Sequence, residues 1–104
     1  MQAHFIYNVT CLVHHSIAQP WLAWMQQTHI PEVLQTQCFL HHHIAKVLEQ
    51  DEAEGVTYTV QYFAASKADY NRYISLHATA LRAKTQQQWG QQVVGFRTLM
   101  EIVH

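Results

Sequence analysis

Apolar and polar residues alternate in the run FIYNVTCLV, from Phe5 to Val13. A period of two predicts a β-strand, because successive side chains of a strand point to opposite faces. One face of this strand carries Phe5, Tyr7, Val9, Cys11 and Val13. The other carries Ile6, Asn8, Thr10 and Leu12, and therefore contains the polar side chains.

Two helical segments are predicted after this strand. Ser16 is a suitable N-cap for a helix that continues through Thr28, because apolar residues follow it at helical spacing. Pro20 fits only the first turn of such a helix. Pro31 opens a second, short helical turn with the sequence PEVLQT, since proline fits the first helical position.

Two further strands are predicted from Cys38 to Glu49 and from Val56 to Phe63, joined by the polar loop QDEAEG. The segment SKAD at 66–69 resembles a capping box that opens a helix, and Gly90 ends this helix. Because the helix is long for so small a domain, a break is predicted around Thr79. Residues 93–103 form the last predicted strand.

The order β-α-β-β-α-β predicts an α+β fold of ferredoxin-like topology, with residues 1–104 forming one domain. Right-handed crossovers over a single antiparallel sheet give the strand order 4-1-3-2, with the helices on one face. The opposite face of the sheet must then be covered or solvated.

This second sheet face is predicted to be polar. The first strand contributes Asn8 and Thr10, and the third contributes Thr57, Thr59, Gln61 and Phe63, opposite an apolar set that includes Tyr62. On the last strand the alternation predicts that Phe96 and its alternate neighbours face the helices, which leaves Gly95, Arg97, Leu99 and Glu101 on the polar face. His41 and His43 join this face if His42 points toward the helices. Polar groups enclosed there need partners, which are one another, water or a ligand.

Charge and composition indicate how the surface is used. Only 12% of the residues are charged, about half the usual share for soluble domains, so part of the surface is expected to be covered in a homodimer. The net charge is −1, and no Lys/Arg cluster exists beyond Arg82 and Lys84, which argues against a nucleic-acid partner.

The N-terminal residues predict neither a signal peptide nor a membrane span, because they lack a positively charged region and their apolar run is interrupted by Asn8 and Thr10. A cytoplasmic location is therefore expected. In that compartment Cys11 and Cys38 are expected to be free buried thiols rather than a disulfide.

Several segments together resemble the bacterial domain-of-unknown-function family 4286: YNVT, WLAWM, HIPEVLQT, YTVQYF, DYNRY and GFRTLMEIV, which cover nearly the whole chain in this order. The resemblance implies the ferredoxin-like fold, and the family has no assigned activity. More distantly, the pattern is similar to the dimeric α+β barrel superfamily, which includes metal-free monooxygenases, haem-degrading enzymes and isomerase-like proteins. The family usually has a glycine after the threonine of the HIP segment, where this chain has Gln37.

His29 is the leading candidate for chemistry. It lies between a helix end and Pro31, where its side chain can turn toward the mouth of the sheet. An exposed imidazole there can act as an acid, a base or a haem ligand. The alternative is that a cationic His29 caps the C-terminus of the helix.

Other candidate chemistry is weaker. The run His41-His42-His43 does not predict a metal site, because His42 points away from its neighbours and no further ligand follows from the spacing. Arg97 can hold a carboxylate ligand or pair across a dimer interface. No nucleophile motif, phosphate loop or CxxC is present, so no cofactor is expected and a hydrolase is not supported.

Two functions remain from the sequence. The favoured one is a dimeric barrel that binds a small ligand or a partner on the polar face, with ligand-binding residues Asn8, His29, Gln61, Tyr62 and Arg97. The alternative is a cofactor-poor enzyme, monooxygenase-like or isomerase-like, that uses His29 as acid or base on an aromatic or carbonyl substrate. The enzyme requires an enclosed pocket in which His29 meets Tyr62, Gln61 or Arg97.

Overall fold

A computed structural model describes residues 1–104. Strand β1 (Phe5–His14) is followed by helices α1 (Ala18–Trp24) and α2 (Ile30–Gln35), then by strands β2 (His41–Lys46) and β3 (Gly55–Ala64). Helices α3 (Lys67–Leu76) and α4 (Ala78–Trp89) precede the last strand, β4 (Val93–Glu101). The predicted succession of strands and helices is thus confirmed.

The four strands form one antiparallel sheet in the order β2-β3-β1-β4, which confirms the predicted order. In the register, Tyr7 lies opposite Tyr62 and Val9 opposite Val60, so these side chains share one face. This face packs against the helices and supplies much of a single core cluster of 17 buried residues. We call it the helix face and the opposite side the open face.

The predicted orientation of β4 is wrong. The register places Arg97 opposite Val9 and Gly95 opposite Cys11, so both lie on the helix face. Val94 and Phe96 lie instead on the open face and are 59% and 63% exposed. Because both faces of β4 contain apolar residues, the alternation within this strand does not reveal which face packs against the helices. The register with β1 determines it.

Strand β2 is shorter than predicted. Cys38 and Phe39, the first residues of the predicted strand, are buried in the core before the strand begins. His42 lies opposite Tyr62 on the helix face, so His41 and His43 lie on the open face as expected.

The helices follow the predicted pattern with two differences. The segment between α1 and α2 is a π-helical turn, Met25–His29, and not an interruption, so the chain remains helical up to Pro31 and beyond. The entry to α1 is a short 3₁₀ turn at His15–Ile17, where His14 rather than Ser16 supplies the capping side chain. The break predicted near Thr79 occurs at His77.

The ends of the second helical pair are as expected. The Ser66 hydroxyl oxygen accepts a hydrogen bond from the Asp69 backbone N–H at 3.1 Å, which opens α3. Gly90 ends α4 with φ of 58°, a conformation that glycine adopts without strain. Cys11 and Cys38 are free and buried, as expected. None of the helices is long and apolar enough to cross a membrane.

Candidate functional site

A cavity of about 460 Å³ lies between the helix face of the sheet and the helices. Its volume falls in the usual range for small-molecule sites, about 300–1,000 Å³. The sheet contributes residues of β1, β3 and β4, and the helical layer contributes α1, the π-helical turn, α3 and α4. The lining side chains that carry polar or aromatic groups are Tyr7, Cys11, Trp21, His29, Tyr62, Tyr73, Thr79, Arg82, Thr85, Gln86 and Arg97.

A glycine on β4 leaves this space open. Gly95 faces the cavity, and a Cβ atom built there would approach no heavy atom more closely than 3.6 Å. The absence of a side chain at Gly95 therefore adds directly to the volume of the cavity.

His29 enters the cavity from the last residue of the π-helical turn. Pro31 lacks an N–H, so the regular helical ladder cannot continue through it, and the N–H of Ile30 donates to the Met25 carbonyl. The imidazole stacks on the Trp24 ring, with the ring centroids 5.0 Å apart. This turn fixes the position of His29 at the edge of the cavity.

The His29 side chain is neutral at pH 7. Burial lowers its pKa from the ordinary value of 6.5 to about 4, against the opposing effect of Glu32 and with a contribution from Arg97. Its Nδ1 atom is buried without a hydrogen-bond partner. A neutral imidazole in this position can donate or accept a hydrogen bond but carries no charge.

Aromatic hydroxyl groups form a second part of the site. The Tyr7 ring stacks on the Tyr62 ring, with the ring centroids 6.0 Å apart, and its centroid lies 5.7 Å from that of Tyr73. Arg82 donates a hydrogen bond to the Tyr7 hydroxyl at 3.0 Å, whereas the Tyr62 hydroxyl is buried without a partner. Burial raises the pKa of Tyr62 and of Tyr73 above the ordinary value of 10.0, so both remain protonated at neutral pH.

Cys11 is not a nucleophile in this structure. Burial raises the pKa of its thiol to about 11, although Arg97 acts in the opposite direction. Since the thiolate is the reactive form, the neutral thiol is inert near pH 7.

The predicted site residues divide between the two faces of the sheet. His29, Tyr62 and Arg97 all line the cavity. Asn8 and Gln61 lie opposite each other on the open face and are not among the lining residues. Asn8 donates a hydrogen bond to the Thr10 hydroxyl at 3.0 Å, and its Oδ1 atom is buried without a partner.

Sequence reasoning missed several lining residues. Tyr7 could have been identified from the sequence, because strand alternation places it on the same face of β1 as Cys11, and both line the cavity. Arg82 gave no signal, because only the packing of α4 on the sheet brings it to the Tyr7 hydroxyl.

On the open face, His41 and His43 flank Phe63, with ring-centroid distances of 4.4 and 5.1 Å. No group of three or more His, Cys, Asp or Glu side chains that could hold a metal ion comes together in the chain.

Comparisons with known proteins place this geometry in a wider context. The model of the family described as Domain of unknown function (DUF4286) matches residues 4–103. No curated protein matches the sequence significantly.

Solved structures share the fold at low sequence identity. A dimeric ferredoxin-like protein from an uncultured marine organism has a TM-score of 0.73 at 13% identity, over 99% of this chain and 98% of that one. SnoaB, a cofactor-independent oxygenase from Streptomyces nogalater, has a TM-score of 0.69 at 10% identity, over 99% and 96%. A dimeric ferredoxin-like protein of unknown function from Thermobifida fusca has a TM-score of 0.59 at 8% identity, over 98% and 94%. These similarities show the ferredoxin-like fold.

Proposed function

The chain belongs to the family described as Domain of unknown function (DUF4286), and on this premise we propose that it is a homodimer that binds a small organic ligand in the cavity between the sheet and the helices. The observation that carries the proposal is this cavity, which His29, Tyr62 and Arg97 all line. Concave, largely apolar pockets with a few convergent polar side chains are the usual form of small-molecule sites.

We propose the ligand site on the helix face, because the cavity lies there, and not on the open face, where the sequence predicted it. Asn8 and Gln61 are then assigned to the dimer contact, because they lie on the open face together with the exposed Phe96 and Val94. Large exposed apolar side chains on a sheet face favour its burial against a second copy. Two of the similar solved structures are dimeric, which supports the same assembly here.

We also propose that residues 1–104 fold as one domain and act in the cytoplasm. The single core cluster supports the first statement. The second is supported by two free cysteines, since reduced thiols are typical of that compartment.

A cavity-filling substitution tests ligand binding. Gly95→Phe would project a ring into the cavity, whereas Gly95→Ala adds only a methyl group at ordinary contact distances. N-phenyl-1-naphthylamine, a neutral aromatic probe that fluoresces in apolar surroundings, is expected to bind the wild type and Gly95→Ala with similar affinity. Gly95→Phe should weaken its binding at least about tenfold, because a filled pocket cannot accommodate the rings.

Two results would contradict the proposal. One is the absence of saturable probe binding to the wild-type protein. The other is unchanged binding by Gly95→Phe, which would place the probe elsewhere on the surface.

A cofactor-poor enzyme is the second candidate, and the position of His29 favours it. A neutral imidazole at the edge of the cavity can take a proton from the carbon next to a ligand carbonyl and return one from solvent. The same burial that keeps His29 neutral also makes it a weak base, because its pKa is lowered to about 4. The binding function therefore ranks first.

Proton exchange distinguishes the two functions. In D₂O, an enzyme of this kind would exchange the methyl protons of 2-acetylnaphthalene for deuterium, as observed by NMR. Wild-type protein should then act faster than His29→Gln. Exchange at the buffer rate with both proteins would contradict proton transfer by His29 and leave ligand binding intact.

A further inference from the structure

The charged side chains that line the cavity are all positive. Arg82 and Arg97 are among the lining residues, whereas no Asp or Glu is. Glu32, the carboxylate that influences the ionisation of His29, is already bound to Lys84 at 2.6 Å. No carboxylate therefore neutralises Arg82 and Arg97 within the cavity, and both arginines are exposed to solvent at its rim.

Arg97 has no partner within the chain. The three salt bridges use Lys46, Arg72 and Lys84, and no side-chain hydrogen bond involves Arg97. Its position opposite Val9 directs the side chain to the helix face, where its charge acts on the pKa of Cys11, His29 and Tyr73. Arg97 is solvent-exposed on the edge strand β4, so its guanidinium lines the cavity from the rim and is free to bind a ligand there.

Arg82 supplies the second positive charge from the helical wall. Its Nη2 atom donates to the Tyr7 hydroxyl at 3.0 Å, which holds the side chain toward the sheet. A guanidinium has five N–H donors, so this single bond leaves donors for a ligand.

Most of the remaining lining is apolar or aromatic, including Trp21, Met25, Val60 and Tyr62. Such walls favour the burial of an aromatic or aliphatic body. The combination of apolar walls with two arginines on opposite sides defines the chemistry of the ligand.

We propose that the cavity selects small aromatic or other apolar compounds that carry one anionic group, and that Arg97, supported by Arg82, is the residue that determines this selectivity. The inference rests on the proposed ligand-binding function and adds the charge class of the ligand. Guanidinium groups bind carboxylates and similar anions through paired, charge-assisted hydrogen bonds, which are stronger than neutral ones.

Two probes with one scaffold test the selectivity. 8-Anilino-1-naphthalenesulfonate carries an anionic group that N-phenyl-1-naphthylamine lacks, and both are followed by fluorescence. For each protein variant, the measured quantity is the ratio of the dissociation constants of the two probes. An effect of the substitution that is the same for both probes, such as a change in the apolar walls, cancels in this ratio. Binding that Gly95→Phe removes is assigned to the cavity.

Arg97→Gln is the test variant and Lys67→Gln the matched control. Lys67 is an exposed residue at the start of α3 and does not line the cavity, so both variants lose one positive charge but only one loses it from the site. Arg97→Gln should reduce the preference for the anionic probe about 10- to 100-fold, the usual effect of losing hydrogen bonds to a charged group. Lys67→Gln should leave the preference unchanged.

The outcomes separate the two proposals. If both probes bind in the cavity and Arg97→Gln leaves their ratio within about twofold, ligand binding stands and anion selectivity is wrong. An equal change in Lys67→Gln would also overturn the selectivity, because it would reflect the net charge of the protein. If neither probe binds, the proposed function itself fails, and the inference fails with it.

Discussion

At the scale of single residues, His29 combines a structural and a chemical constraint. The π-helical turn and the ring of Trp24 hold the imidazole in a place where protonation is unfavourable. The folded protein therefore binds a proton at His29 less readily than the unfolded chain, and this difference couples the site to the stability of the fold.

The coupling predicts a specific loss of stability in acid. The pKa of His29 is about 4 in the folded protein and 6.5 ordinarily, so the unfolded state takes up the proton first as the pH falls. The free energy of unfolding should decrease progressively between these two values, by an amount on the order of 3 kcal/mol at 1.36 kcal/mol per pKa unit. Above pH 6.5 the His29 contribution is fully present.

Urea denaturation of the wild type and His29→Gln, at one protein concentration from pH 7.5 to 4, measures this contribution. The difference between the two proteins removes the effect of the other histidines. Parallel curves for the two proteins over this range would show that His29 titrates normally in the folded state.

At the scale of elements, Arg72 joins the second helical pair to the first. Its Nη1 and Nη2 atoms donate to the carbonyls of Thr36 and Gln37, at 3.2 and 3.1 Å, just beyond the end of α2. Nη2 also contacts the Asp69 carboxylate at 3.2 Å. The forked guanidinium thus satisfies carbonyl groups that a helix end leaves without partners.

Arg72→Met should lower the free energy of unfolding by about 1–2 kcal/mol, because it keeps the apolar stem but removes the donors. Lys84→Met is the comparison, since Lys84 joins α4 to Glu32 of α2 through an exposed ion pair. Exposed pairs contribute about 0–1 kcal/mol, so this loss should be the smaller one. If urea denaturation gives the same decrease in the free energy of unfolding for Arg72→Met and Lys84→Met, the proposed role of the Arg72 guanidinium is wrong.

Gln37 shows a local strain at the same helix end. Its φ is 61°, in the left-handed region that favours glycine. Gln37→Gly should therefore stabilise the protein by about 0.5–1 kcal/mol. Gln35→Gly, two residues earlier and still in α2, should instead destabilise it by about 1 kcal/mol. Thermal unfolding that gives both variants the same sign would rule out this explanation.

The elements also show what the sequence could predict. Strand alternation, the Ser66 cap, Pro31 and Gly90 act locally, so the order of elements and most helix boundaries followed from them. The orientation of β4 depends on its register with β1, and a strand with apolar residues on both faces does not encode that choice. Because Arg97 lies on β4, the same error placed it beside Asn8 and Gln61 instead of beside His29.

At the scale of the whole molecule, the proposed ligand site and the proposed dimer contact lie on opposite faces of the sheet. The helix face lines the cavity. The open face presents the exposed Phe96 and Val94 together with Asn8, whose Oδ1 atom has no hydrogen-bond partner. Ligand binding and dimerisation should therefore respond to different substitutions.

The open face predicts the outcome of a sedimentation experiment. Wild-type protein at micromolar concentration should sediment at twice the 12.1 kDa mass of one chain. Phe96→Asp should weaken the dimer at least about 30-fold, because an unpaired charge in the centre of an apolar contact costs about 2 kcal/mol or more. Leu76→Asp introduces the same charge at a side chain that is 68% exposed at the end of α3, away from the sheet, and should leave the dimer intact.

A wild-type protein that sediments as a 12.1 kDa monomer would contradict the dimer directly. Dissociation by Leu76→Asp and not by Phe96→Asp would move the contact from the sheet to the helical layer.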